Sequence, residues 1–113
     1  MKLGGLEIAT LGIFFLAVCL VIILNLTYGP RITIEKIPMQ WGIDGNPTWY
    51  ANKVIGLWWF LYFLLALGIG MIVLGLFGGA GNTIWYTVIF ISILMPAVQW
   101  WHLNAVIRWI AKQ

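Results

Sequence analysis

The side chains able to do chemistry are few: His102, Cys19, Glu7, Glu35 and Asp44 are the only imidazole, thiol and carboxyl groups in 113 residues. Enzyme chemistry needs paired titratable groups, a metal-ligand cluster or an activated nucleophile. No HExxH, CxxC or Walker pattern is present. Glu7 and Cys19 fall in the first apolar run, and helix geometry keeps both away from the polar loop that carries Glu35 and Asp44. Cys19 has no partner for an internal disulfide, and its apolar setting reads as a small buried hydrophobe. The expectation is a non-catalytic protein with no catalytic residue and no metal site. His102 lies among Gln99, Trp100, Trp101 and Asn104. A lone imidazole on such a helix can ligate haem or bacteriochlorophyll. Pigment-binding helices favour a small residue one turn earlier, and here that position is Val98. A hydrogen bond from His102 to the loop or to lipid phosphate is the preferred expectation over cofactor ligation.

The elements that must position these groups follow from composition. The chain is 63% hydrophobic and 8% charged, with mean hydropathy +1.00. Soluble domains carry about a quarter charged residues. The fold class expected is an all-α integral membrane protein: one three-helix membrane domain over residues 1–113. A spanning helix needs about 20 apolar residues, and residues 6–28, 54–77 and 84–107 supply three. Within lipid the backbone must pair inside its own segment, which dictates helices. The first span is too long for a signal-peptide core and no A-x-A site follows it, so it reads as a permanent helix. The Asn25-Leu26-Thr27 sequon sits at its membrane boundary and is discounted.

The connection "GGAGNT" over 78–83 makes helices two and three antiparallel neighbours. The other connection, residues 29–53, is a 25-residue loop with room for structure. Ile32 and Ile34 alternate with Thr33 and Glu35, a short strand signal that Pro38 ends. Gly45-Asn46-Pro47 reads as a turn. A compact lid on the membrane surface is expected. Pro96 is expected to kink the third helix, and about 1.5 Å per residue puts His102 roughly 27 Å from Ile84, beside the loop. Residues beyond 107 read as a C-terminal interfacial extension with Arg108 and Lys112 in water.

Loop and C-terminus then share one side. That side carries seven of nine charges and seven of eight tryptophans. An aromatic belt is one explanation. The other is an aromatic platform of Trp49, Trp58, Trp59, Trp100 and Trp101 under a polar lid, suited to a peptide, lipid, pigment or partner helix. Net charge +3 from scattered Lys and Arg fits headgroup anchors and not nucleic acid. Five of the six cations lie on the loop side and Lys2 on the other, which places the loop in the cytoplasm by positive-inside counting. Small residues Ala66, Gly70, Gly75 and Gly79, with Gly5 and Gly12, mark close helix packing, either within the bundle or against another subunit. The function expected is an accessory subunit in a heteromeric membrane complex, respiratory or photosynthetic, with other membrane subunits and lipid as partners.

The stretch "IPMQWGIDGNPTWYANK", residues 37–53, resembles the loop of the small bacterial domain found at the N-terminus of SdpI-type toxin-immunity membrane proteins. Ile37, Pro38, Trp41, Gly45, Pro47, Tyr50 and Lys53 match that pattern. Gln40 stands where the family has His, and Thr48 where it has Asp. The resemblance implies a bacterial inner-membrane protein of three helices with the motif between the first two. It also implies a toxin-immunity or sensing role, and a loop outside the cytoplasm, against the charge count. Gly45 and Pro47 would then set the turn, and Trp41 and Tyr50 would pin the loop to the membrane.

Overall fold

A computed structural model describes residues 3–79 and 81–113; Lys2, counted above, and Ala80 of the second connection lie outside the described residues. Helix α1 spans Gly5–Tyr28, a 3-10 turn Gly29–Arg31 follows, strands β1 (Lys36–Trp41) and β2 (Pro47–Asn52) form a hairpin, and helices α2 (Lys53–Phe77) and α3 (Asn82–Ala111) complete the chain. The three helices are long and apolar enough to cross a membrane. Their bounds lie within two residues of those expected, except at the C-terminal end of α3.

Three expectations are corrected. The molecule is not all-α: the lid contains an antiparallel hairpin. The strand signal at Ile32 and Ile34 precedes the strand, which starts at Lys36, and Pro38 sits inside it, paired with Tyr50. A two-stranded sheet has only edges, so a residue without an N–H costs no ladder bond on its outer side. Finally, the C-terminal extension is no separate element, because α3 runs unbroken through Pro96 to Ala111.

The hairpin is closed at both ends. At its tip Gly42 N–H donates to the Asn46 carbonyl (2.8 Å) and Gly45 N–H to that of Gly42 (3.1 Å). Gly45 takes φ +82°, where a Cβ would be strained. Asp44 accepts from the Asn46 backbone N–H (3.0 Å) and side-chain amide (3.2 Å), and these bonds to its charged form hold its carboxyl below the usual range. At the base, Lys53 N–H donates to the Glu35 carbonyl (2.7 Å) and Lys53 Nζ to that of Ile32 (2.6 Å). Asn52 caps α2 by accepting from Val54 N–H (3.0 Å).

Two apolar clusters form the interior. One joins the helices through Phe14, Val21, Leu61, Leu64, Trp85 and Val88. The other seats the hairpin through Ile32, Ile37, Leu57, Leu103 and Val106. Close approach between helices occurs at two glycines of α2. The Phe14 ring occupies the place a Cβ on Gly68 would take, and a Cβ on Gly75 would lie 2.9 Å from Trp85 Cζ2. Ala66 and Gly70 point outward instead, and Gly79 lies past the end of α2 with φ +64°. A Cβ on Gly5, Gly12, Gly70 or Gly79 would touch nothing within 4 Å. Of the small residues expected to pack helices, Gly75 does so inside the molecule, and Gly68, not singled out, does so as well.

Candidate binding site between the hairpin and the third helix

The hairpin lies on the first turn of α2 and against α3. Gly56, buried, allows β1 to approach α2: a Cβ there would be 3.2 Å from Met39 Sδ and 3.4 Å from Ile37 Cβ. His102, buried on α3, places Nε2 2.8 Å from the Pro38 carbonyl oxygen. A carbonyl only accepts, so Nε2 carries the proton and donates. Tyr50 of β2 packs on Trp109 of α3, ring centroids 6.0 Å apart at 58°. His102 thus makes the hydrogen bond to the loop, and the nitrogen facing the hairpin is committed to it.

A polar node beneath the hairpin ties all three helices. The Asn25 side-chain amide donates to the Leu57 carbonyl (2.8 Å), and Gln99 Nε2 donates to Asn25 Oδ1 (2.8 Å) and more weakly to Leu57 (3.4 Å). Both side chains are buried, which leaves no room for a glycan at the sequon. Tyr28 hydroxyl reaches Asn104 Oδ1 at 3.3 Å. Among the described residues, two enclosed polar atoms, Trp41 Nε1 and Gln99 Oε1, have no partner.

Between the hairpin tip and the end of α3 runs a groove of about 510 Å³. Trp41, Asp44 and Asn46 line one wall; Trp101, Arg108, Trp109 and Lys112 line the other. Positions 101, 105, 108, 109 and 112 recur at intervals of three and four residues, which puts them on one helical face. The groove therefore opposes two cations to one carboxylate and is lined by three indoles. Arg108 and Lys112 also sit at the helix C-terminus, where the macrodipole favours positive charge.

The five tryptophans of the expected platform do not form one surface. Trp58 and Trp59 line a separate hollow of about 320 Å³ on α2 with Val54, Ile55 and Tyr62, and Trp59 packs on Phe60 and Phe63. Trp49 and Trp100 are each more than half exposed and line neither hollow. Only Trp101 of the five reaches the groove, and its aromatic companions there, Trp41 and Trp109, were not in the expected set.

Of the motif residues, Ile37 and Pro38 are buried, Trp41 lines the groove, and Gly45 makes the positive-φ turn. Pro47 starts β2, Tyr50 meets Trp109, and Lys53 closes the base. The two departures from the family pattern meet, since Thr48 hydroxyl donates to the Gln40 carbonyl at 3.3 Å. Among the described residues, no three of His, Cys, Asp and Glu gather as a metal-ligand group. Comparison with protein-family models, curated proteins and solved structures gives no match.

Proposed function

We propose that this chain is a multi-pass protein of a bacterial inner membrane that works without catalysis, as an accessory subunit held against another membrane protein. The observation that carries this reading is a close-packing strip that the molecule itself leaves unused. Phe63, Ala66, Leu67, Gly70, Val73 and Leu74 of α2 recur at steps of three and four residues and are exposed, whereas the internal contacts use Gly68 and Gly75. In lipid, helices associate through small residues that bring backbones close, and apolar surface alone gives no drive. A smooth outward strip with Gly70 at its centre suits a partner helix. Extraction in mild detergent followed by native electrophoresis and mass spectrometry of co-migrating chains tests this. Gly70→Leu should release the partner with the thermal melt unchanged, since its side chain meets open space. A monodisperse monomer with no companion, or a complex indifferent to Gly70→Leu, rejects it.

A second reading is supported by the motif: an SdpI-like immunity or sensing protein whose rigid hairpin is the recognition element. The matching residues build the hairpin and its seat, and Gln40 and Thr48 stand together on its exposed side. Under this reading cells lacking the chain become sensitive to a secreted peptide toxin; an unaltered dose response rejects it.

A further inference from the structure

We propose that the groove between the hairpin tip and the end of α3 binds the headgroup of an aminophospholipid, with the phosphate on Arg108 and Lys112 and the ammonium toward Asp44. The proposal rests on the membrane reading above and is independent of the partner strip on α2.

The charge pattern selects the ligand. Arg108 and Lys112 stand four residues apart on the helix face that forms one wall, and Asp44 stands on the other. A phosphodiester is matched by a guanidinium fork with an ammonium beside it. The opposite wall then offers a carboxylate to whatever the phosphate carries. Asp44 is held in its ionised form by the two bonds from Asn46, and a carboxylate has lone pairs beyond these two. An ammonium one short linker from the phosphate completes the pattern, whereas a glycerol headgroup leaves the carboxylate facing no cation. Trp41, Trp101 and Trp109 add indole faces, which favour ammonium groups and sit at headgroup depth in membranes. The volume, about 510 Å³, lies within the range of small-ligand sites. It suits a headgroup and glycerol whose acyl chains continue down the outside of the apolar helix. Rigidity comes from behind: His102 on Pro38 and Tyr50 on Trp109 fix the hairpin wall to the helix wall, so little ordering cost remains for binding.

The purified protein is reconstituted in vesicles of equal phosphatidylethanolamine and phosphatidylglycerol, released in the gas phase, and read by native mass spectrometry for retained lipid. Phosphatidylethanolamine is expected to be retained in excess. Arg108→Ala with Lys112→Ala should reduce retention by at least about tenfold, the loss expected for one charge-assisted contact alone. Asp44→Asn should abolish the preference for ethanolamine over glycerol headgroups. Inorganic phosphate at millimolar concentration should not displace the lipid. Circular dichroism melts establish that each variant folds, and Asp44→Asn, at an exposed turn, decides the matter if the double variant does not. Absence of retained lipid, an excess of phosphatidylglycerol, retention unchanged in the double variant, or displacement by free phosphate each overturns the proposal. Gly70→Leu should leave retention unchanged, which separates failure of this site from failure of the partner reading.

Discussion

His102 Nε2 and the Pro38 carbonyl oxygen, 64 residues apart in sequence, lie 2.8 Å apart with both residues buried. This bond joins the middle of β1 to the start of the last third of α3. Replacing His102 by Ala leaves a buried carbonyl without its donor, a cost of about 1–3 kcal/mol. His102→Ala should therefore raise amide exchange and protease cleavage across residues 36–52 while the helices stay protected. Unchanged hairpin protection would show that the Ile37 cluster, the Tyr50–Trp109 packing and the Lys53 bonds suffice to hold it.

Gly45→Val places a β-branched side chain at φ +82°. No atom lies within 4 Å of its Cβ, so the penalty is conformational, about 1–3 kcal/mol. Gly45→Asn, which tolerates left-handed backbone, should cost clearly less. Limited proteolysis of the tip ranks the three proteins, wild type most resistant, then Asn, then Val.

Gly68 and Gly70 are two residues apart on α2 and should respond oppositely. Gly68→Val drives a side chain into the Phe14 ring, and overpacking of this kind costs about 1–3 kcal/mol. Gly70→Leu meets open space and should leave the melt of the isolated protein unchanged.

Gln99→Leu removes the donor from Asn25 Oδ1. Interhelical side-chain hydrogen bonds in membranes average about 0.6 kcal/mol, rising to about 1.7, and a loss in that range is expected by unfolding in detergent. Adding Asn25→Leu to Gln99→Leu should cost less than the sum of the two single changes, since the node is one unit.

Acid should loosen the hairpin tip. The folded-state pKa of Asp44 is depressed by its bonds from Asn46, so its contribution to stability is fully present above the unfolded carboxylate value and is lost as pH falls through the folded one. Protection of the Asn46 amide should hold from neutrality into mild acid, then fall below the ordinary aspartate range. Asp44→Asn should flatten that profile.

What sequence made legible depended on contrast. The helices stood out because long uncharged runs end at Gly, Pro, Asn and Lys. The hairpin did not, because its strands lack alternation: Ile37 and Pro38 are buried side by side, and much of β2 is exposed. Its tip was readable from Gly45-Asn46-Pro47, since turn chemistry is local. Which small residues pack inside was hidden because α2 is apolar on every side, so no polar face fixes its rotation. The helix wall was not read as one face, since Trp101 was assigned to a platform and Arg108 and Lys112 to a separate extension; they share a face because α3 runs unbroken to Ala111. The opposite wall needed the hairpin geometry. The node of Asn25 and Gln99 joins residues 74 apart, beyond any local pattern.

Lys53 begins α2 and, through Glu35 and Ile32, also fastens the base of the hairpin, while the middle of the hairpin is fastened to α3 by His102. The six-residue strands make a lever arm of about 20 Å at 3.3 Å per residue. A tilt of α2 against α3 therefore has to be taken up inside the hairpin, between Lys53 at its base and Pro38 at its middle.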